Sequence, residues 1–283
     1  GHPARTRVVL PSVCTVDDVL RHILVITTLG SPRNKHSVEL CAQALVECVW
    51  FPAVDKDSLD LHQLVTSSYA APALLRKNNE IPRHNLSAGE FALSLSHRNI
   101  YDMLLLNAWP CGLVLENDAA FRKDFATKLR SLQLPTMFDV VKLEHCNAES
   151  DVGDSAARVQ RGQGGGWCSA GYIVSSDGAR LLRTLQTPVW LQSDGAFRAL
   201  DPRNNRLLNA SLANLEKGRE ALGFGADNST FNSLRQWPAA SIQASGRLRA
   251  IRVFHTVPPF VWQHGAKELS ELGVHTRYAH AHR

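Results

Sequence analysis

The sequence lacks the long apolar run, the clustered basic charge and the closely spaced cysteine pairs that would each indicate a particular class of protein. No uninterrupted apolar stretch approaches the roughly 18 residues that a membrane-spanning helix needs. The 31 Lys and Arg residues are dispersed without a run of five, so the net charge of +5 does not indicate a nucleic-acid-binding surface. A nucleic-acid-binding protein is therefore a weak alternative that rests only on the pI near 9.0.

The six cysteines form no CxxC pair and show no zinc-finger spacing. We expect most of them to be small buried hydrophobic side chains, and the sequence leaves one disulfide open because pairing cannot be deduced from spacing. The residues concerned are Cys14, Cys41, Cys48, Cys111, Cys146 and Cys168.

The chain start and the glycosylation triplets bear on localisation. The opening Gly-His-Pro resembles a cloning remnant before a truncated start, so we expect a signal or anchor segment to have been removed, and membrane contact only through such an anchor. Asn-x-Ser/Thr triplets at Asn85, Asn209 and Asn228 permit a secretory location, but chance also produces them in a chain of this length. We expect the lumen of the secretory pathway for a eukaryotic protein, and the cytoplasm or membrane periphery for a bacterial one.

Alternating strand and helix patterns predict an α/β fold with a parallel sheet. A β-branched run at 22–28, a helical pattern at 34–45 and a second strand at 48–54 form a βαβ unit. Without a Pro/Ser/Gly-rich linker, the sequence predicts one domain over 1–283, with 1–20 as an extension or truncated stem. Further strands are predicted at 111–115, 139–143, 170–174, 252–254 and 260–262, helices at 88–106 and 177–185, and a weakly helical region at 200–250.

The predicted helix at 88–106 carries two stripes. Ser87 and Glu90 have the spacing of a capping box at its start. One stripe is mainly apolar (Leu93, Ser96, Ile100, Leu104) and the other polar (Glu90, Ser94, His97, Tyr101). Taken singly, Glu90 is explained by capping and His97 by a structural hydrogen bond. Ser96 and His97 are not expected to form a nucleophilic pair, because adjacent helical side chains point about 100° apart.

The segment LVLEND (113–118) predicts a metal site. Ligands in open α/β sheets bind at the carboxyl ends of the strands, and this buried strand ends in Glu116, Asn117 and Asp118. Mg²⁺ or Mn²⁺ held by one or two carboxylates and the phosphates of a ligand would explain acids at this position. The alternative is that both acids are solvated turn residues or cap the next helix.

Four motifs in register resemble glycosyltransferase family 25, which includes collagen galactosyltransferases and bacterial lipooligosaccharide galactosyltransferases. They are GEFALSLSHRNIYDM (89–103), CGLVLENDAAF (111–121), SAGYIVSSDGARLL (169–182) and PVWLQSDGAF (188–197). HILVITTLGSPR (22–33), FPAVD (51–55) and PPFVWQH (258–264) are similar to further family segments, so the resemblance covers about residues 22–264. It implies a GT-A nucleotide-sugar fold with a mixed, mostly parallel sheet.

The resemblance also implies a function and a set of site residues. It implies a metal-dependent inverting transferase that moves galactose, or else glucose, from a UDP-sugar to a glycan or protein hydroxyl. Mn²⁺ or Mg²⁺ would be held at a DXD-like motif by Glu116 and Asp118, with His255 or His264 as a further ligand. The donor would contact Arg33, Ala53, Val54, Asp55, Glu90, Ser96, His97 and the three residues 116–118. Asp194 would be the general base.

Two departures from the family pattern leave alternatives open. The family's LEDD is LEND here, so Asn117 replaces a carboxylate, and the strand end VITT (25–28) has Thr27 where an amide is usual. A catalytically inactive relative that serves as a binding module is therefore the second hypothesis. For Asp194 the alternative is an exposed Ser-Asp-Gly turn. Its competitors as base are Asp177, expected to cap a helix, and Asp201 in a Leu-Asp-Pro turn.

Overall fold

A computed structural model describes residues 13–28, 30–43, 45–60, 88–121, 124–144, 158–161, 168–186, 189, 193–199, 251–257, 259 and 261–263. The strands are β1 (Ile23–Thr27), β2 (Val49–Pro52), β3 (Cys111–Glu116), β4 (Ala119–Phe121), β5 (Val140–Lys142), β6 (Arg158–Arg161), β7 (Gly171–Ser175), β8 (Val253–Val257) and β9 (Val261–Gln263). The helices are α1 (Val16–Arg21), α2 (Pro32–Gln43), α3 (Ala88–Leu106), α4 (Phe125–Arg130), α5 (Ser176–Leu185) and α6 (Ser193–Ala199), with a 3₁₀ turn at Lys56–Ser58.

The central sheet is mixed and mostly parallel, which confirms the predicted α/β class. Its seven strands lie in the order β2-β1-β3-β7-β5-β8-β6. Strands β1, β2, β3, β5 and β8 run in one direction, while β7 and β6 run against them. The carboxyl ends of the five parallel strands therefore meet at one edge of the sheet. Strands β4 and β9 form a separate antiparallel pair beside that edge.

Hydrophobic layers cover both faces of the sheet. One face, which includes Leu24, Val114 and Val174, packs against α3, α5 and α6. The other face, which includes Val25 and Ile173, packs against α1 and α4. Because the inner strands are covered on both sides, their sequences are continuous apolar runs. Strands β1, β3 and β7 could therefore be predicted from the sequence.

Helix α1 falls in a segment that the sequence left without a predicted element. Thr15 accepts a hydrogen bond from the Asp18 amide, and Asp18 accepts one from the Thr15 amide, so the two form a capping box. Only Val19 of this helix is buried. Six residues with one buried side chain give too short a pattern for periodicity to reveal, although the Thr-x-x-Asp pair was a usable signal.

The prediction that most cysteines are isolated hydrophobic side chains is wrong. Cys14 is bonded to Cys111, and Cys41 to Cys48, with Cα–Cα distances of 5.6 and 6.3 Å. Cys168 is also disulfide-bonded, and the described part of the chain contains no free cysteine. The first bond ties Cys14, two residues before α1, to the start of β3, and the second joins the end of α2 to the residue before β2. The Cys14–Cys111 bond joins segments that are distant in the sequence, and cysteine spacing alone predicts neither pairing.

Helix α5 begins differently from the prediction. Ser175 is its N-cap and accepts a hydrogen bond from the Gly178 amide, whereas Asp177 pairs with Arg180 on the surface. The assignment of Asp177 as the cap is therefore wrong. Ser87, Asp201 and the predicted helical region at 200–250 lie outside the described residues. In the parts of the chain that are described, no helix has the length and apolar character to cross a membrane.

Candidate active site

The carboxyl ends of β1, β2 and β3 bring three predicted segments together. Strand β1 pairs in parallel with β2 on one side and β3 on the other. The Ala53 amide donates to the Thr27 carbonyl at 2.6 Å, and the Glu116 amide donates to the Ala170 carbonyl at 2.9 Å. The edge predicted to bind the ligand is thus a continuous, hydrogen-bonded part of the sheet.

Glu116 is the centre of a polar cluster at this edge. Its Oε1 atom lies 3.3 Å from His97 Nε2 and accepts a 2.5 Å hydrogen bond from the Ser169 hydroxyl. The Glu116 side chain is only 11% exposed, which rules out the solvated-turn interpretation for this residue. The Ser169 Oγ atom in turn lies 2.9 Å from Ser193 Oγ, at the first residue of α6.

His97 continues the cluster into the interior. Its Nδ1 atom lies 2.7 Å from the Tyr172 hydroxyl, which lies 3.0 Å from the Tyr101 hydroxyl. All three side chains are at most 1% exposed, so the polar stripe of α3 is buried as deeply as its apolar stripe. Burial raises the pKa of both phenols above their usual value, and they remain protonated hydrogen-bond donors at neutral pH.

Asp118 and Asn117 occupy the turn after β3. Asp118 is 8% exposed, so the solvated-turn interpretation is also wrong for this carboxylate. The Ser37 hydroxyl of α2 donates to the Asn117 carbonyl at 2.9 Å, which holds the turn against that helix. Strand β9 pairs Gln263 with Ala119, so the late segment of the chain lies directly beside the turn.

Asp194 is mostly buried and helical, and the exposed-turn alternative is wrong. It lies in the first turn of α6, between buried Ser193 and buried Ala196. Burial raises its pKa from 3.8 to about 7, and the negative charge of Glu116 adds to this rise. The Gly195 amide and the charge of Lys142 oppose the rise without cancelling it. A carboxyl group with a pKa near neutrality is suited to take up a proton during a reaction.

Two charged residues of this cluster were missed by the sequence analysis. Lys142 is 1% exposed and Glu144 is 2% exposed, and both lie at the carboxyl end of β5. Burial raises the pKa of Glu144 to about 8, an effect that Glu116 and Asp118 strengthen and Lys142 weakens. The signal was the alternation in Val-Val-Lys-Leu-Glu (140–144), which places two charges on one face of a buried strand.

The geometry bears on the predicted metal in two ways. Among the described residues, no group of three or more His, Cys, Asp or Glu side chains is arranged to hold a metal ion. Two carboxylates and ligand phosphates suffice for Mg²⁺ or Mn²⁺, and the Glu116–Asp118 pair fits that requirement. The negative charges of Glu116 and Asp118 help to raise the pKa of neighbouring Glu144, and a divalent cation would offset this concentration of negative charge.

Of the two candidate histidine ligands, only His255 lies among the described residues. His255 is buried on β8 and pairs in register with Lys142. Two strands separate β8 from β3, so the backbones of His255 and Glu116 are more than about 14 Å apart at a strand spacing of about 4.8 Å. His264 lies outside the described residues. A histidine ligand to the metal stays a prediction.

The remaining predicted donor residues lie in α2, in α3 and in the segment after β2. The Val54 amide donates to Ser96 Oγ at 2.9 Å, which joins the segment after β2 to α3 one residue before His97. Asp55 caps the 3₁₀ turn by accepting from the Asp57 amide. Arg33 lies at the start of α2 and Glu90 in the first turn of α3. The structure therefore joins Val54 to Ser96 and His97 to Glu116, while donor contacts remain predictions.

Comparison with known families agrees with these features. The family described as glycosyltransferase family 25 (LPS biosynthesis protein) matches residues 21–196, which is more than half of the chain and extends from β1 into α6. A comparison with curated proteins found no match. The match includes Glu116, Asp118, Ser169 and Asp194, together with the sheet edge that holds them. The chain belongs to glycosyltransferase family 25.

Proposed function

We propose that this glycosyltransferase moves galactose, or alternatively glucose, from a UDP-sugar to a hydroxyl of a glycan or protein acceptor, with inversion at the anomeric carbon and with Mn²⁺ or Mg²⁺. Family membership supports the transferase class. One observation supports the finer proposal. Asp194, whose pKa is raised to about 7, directly follows Ser193, and hydrogen bonds through Ser169 link Ser193 to Glu116 at the end of β3. A base and a donor-side carboxylate are thus held in one cluster.

Asp194 is the proposed general base. In an inverting transfer, the acceptor oxygen attacks the anomeric carbon, the bond to the diphosphate breaks, and the acceptor proton moves to a carboxylate. Asp194 would take that proton on a side-chain oxygen. Because its ordinary pKa is 3.8 and burial raises the value to about 7, it is a stronger base than a solvated aspartate and is still substantially ionised at neutral pH.

Asp118 and Glu116 are the proposed protein ligands of the divalent cation. Both are carboxylates at the end of β3, and such oxygen donors suit Mg²⁺ and Mn²⁺. When bound, the cation neutralises charge that develops on the departing diphosphate. His97 and Ser169 fix the orientation of the Glu116 carboxylate through hydrogen bonds. His255 and His264 are both kept as candidates for a further ligand.

The segment after β2 is the proposed site of the nucleoside. Ala53 and Val54 are held beside α3 and β1 through their backbone amides, so the chain is fixed where a base and ribose would lie. Asp55 would face the ribose, and Arg33 and Glu90 would border the donor. These contacts follow from the family resemblance and from the position of the segment at the sheet edge.

The disulfide bonds support an oxidising compartment. Five of the described positions are disulfide-bonded cysteines, which are rare in proteins kept in the reducing cytosol. We therefore favour the lumen of the secretory pathway over the cytoplasm as the site of action.

An inactive, sugar-binding relative is the second candidate. Asn117 in place of a carboxylate favours it, as does the engagement of Glu116 Oε1 by two side chains. A binding module would retain donor affinity without turnover.

The anomeric configuration of the product tests the proposed mechanism. The chain would be incubated with UDP-α-galactose, UDP-α-glucose, Mn²⁺ and hydroxyl acceptors, and the product linkage read by the proton coupling constant in NMR. A β-linked product supports inversion. An α-linked product contradicts it, and donor binding without any product supports the binding module.

A further inference from the structure

Two serines form a continuous link between the end of β3 and the helix that carries Asp194. Ser169 Oγ is 2.5 Å from Glu116 Oε1 and 2.9 Å from Ser193 Oγ, and both serines are buried. Ser169 lies just before β7, while Ser193 is the first residue of α6. The three side chains come from segments that are separated by 53 and 24 positions in the sequence.

The number of hydroxyl hydrogens determines which serine donates in each hydrogen bond of this link. Ser169 has one hydroxyl hydrogen, which it donates to the Glu116 carboxylate, an acceptor-only group when it is ionised. Ser193 must then donate its own hydrogen to Ser169. Both hydrogens therefore point towards Glu116, and the hydrogen bonds strengthen when that carboxylate is charged.

We propose that Ser169 is a positioning residue that fixes the start of α6, and with it Asp194, relative to the Glu116 carboxylate. The proposal rests on the proposed function for the roles of Glu116 and Asp194. The Ser193 hydroxyl bonds to Ser169 at the first residue of α6, while Ala196 and Phe197 anchor the same seven-residue helix in the core, so this bond orients the end of the helix that carries Asp194. A shift of about 1 Å in a catalytic group can lower a rate about a hundredfold.

The test compares Ser169→Ala, Ser193→Ala and the double variant. Ser169→Ala should lower kcat for transfer about tenfold or more. Ser193→Ala leaves the Ser169–Glu116 bond in place, so it should lower kcat by a similar factor while the Kd for UDP-sugar with Mn²⁺, measured by calorimetry, changes less than twofold. Because both act on one link, the double variant should be no slower than the slower single variant. Ser169→Thr keeps the hydroxyl and should restore much of the rate.

Ser94→Ala is the matched control. Ser94 is a buried serine of α3 whose Oγ makes no hydrogen bond within the described structure, so its removal deletes a hydroxyl without breaking a bond. Its kcat should equal that of the wild type. Wild-type kcat in Ser193→Ala would overturn the proposal, as would a loss of donor affinity equal to the loss of kcat in that variant.

Thermal unfolding measurements distinguish a failure of the proposed Ser169–Ser193 link from a failure of the proposed function. If the wild-type chain transfers no sugar, the proposed function fails, and the link is judged by the melting temperatures of the two single variants and the double variant. Non-additive shifts then support the coupling of Ser169 and Ser193, and additive shifts overturn it.

Discussion

The Nδ1 atom of His97 and the hydroxyl of Tyr172 lie 2.7 Å apart, and they join α3 to the centre of the sheet. With the proton of the neutral imidazole on Nε2, His97 donates to Glu116 and accepts from Tyr172. Tyr172 then accepts from Tyr101, so the orientation of the Glu116 carboxylate is tied to hydroxyl groups in the core. This arrangement explains why polar side chains are tolerated on the buried side of α3.

Tyr172→Phe should be more destabilising than Tyr101→Phe. The first change leaves two buried groups without a partner, His97 Nδ1 and the Tyr101 hydroxyl, at a cost of about 2 to 4 kcal/mol. The second change leaves the bond between Tyr172 and His97 intact and should cost about 1 kcal/mol. Urea unfolding of the two variants gives the comparison. Equal losses would show that His97 does not depend on the Tyr172 hydroxyl.

Asp118→Asn should abolish Mn²⁺-dependent turnover and leave the fold intact. The amide has nearly the shape of the carboxylate but lacks the charge that a divalent cation requires. UDP release is measured with and without Mn²⁺, and circular dichroism checks the fold. Asn117→Asp restores the LEDD pattern and is the matched variant, for which equal or higher activity is expected. Full activity in Asp118→Asn would remove this residue from the metal site.

Asp194 should control the rise of kcat with pH. A general base acts when it is deprotonated, so kcat should increase as pH rises through about 7 and then level off. Asp194→Asn should lower kcat by about 10² to 10⁴ while donor affinity is kept. A pH profile from pH 5 to 9 gives the midpoint. A variant that keeps near-normal kcat would show that another group takes the proton.

The same residue should make the folded state weaker at high pH. Its pKa in the folded chain, about 7, lies above the ordinary value of 3.8, so the folded state binds the proton more tightly than the unfolded state. The contribution of Asp194 to the free energy of unfolding is therefore fully present below about pH 4 and is lost as the pH rises through 7. With a chelator present, Asp194→Asn should raise the free energy of unfolding relative to wild type at pH 9 by roughly 2 to 4 kcal/mol, with a much smaller difference at pH 4. Equal pH dependence in both chains would contradict this.

The two assigned disulfides should contribute unequally to stability. Cys14 and Cys111 are 97 positions apart, whereas Cys41 and Cys48 are 7 apart. By loop-closure entropy, replacing the first pair with serines should cost about 4 to 5 kcal/mol, against about 2 kcal/mol for the second pair. Denaturant unfolding of the two double-serine variants measures the difference. A larger loss from the Cys41–Cys48 pair would contradict the entropic account.

The sequence predicted the fold where local pattern is strong. The apolar runs of β1, β3 and β7 and the long α3 were found within a few residues, because burial on both sides of the sheet gives them continuous hydrophobic character. Family resemblance then predicted that the end of β3 is part of a glycosyltransferase site. Helix α1 and strand β4 were missed because six and three residues carry too little periodicity.

The polar cluster itself could not be read from local pattern. Ser169 meets Glu116 and Tyr172 meets His97 because β7 pairs with β3, and Ser193 meets Ser169 because α6 packs over the same face. No periodicity marks a serine that bonds across 53 positions. Among the cluster residues that were not predicted, only Lys142 and Glu144 show a local sequence pattern, which is the alternation of charged and apolar residues along a buried strand. The Cys14–Cys111 disulfide was missed for the same reason, since its pairing is set by a tertiary contact.

UDP release is the most direct test of the central claim that this chain is a metal-dependent UDP-sugar transferase. UDP would be measured after incubation with UDP-galactose, UDP-glucose and other nucleotide sugars, each with Mn²⁺ and with a chelator, and with Asp194→Asn as the inactive reference. The account predicts release from UDP-galactose or UDP-glucose that requires Mn²⁺ and is lost in the variant. No release from any nucleotide sugar, or release that is equal with Mn²⁺ and with the chelator, would contradict it.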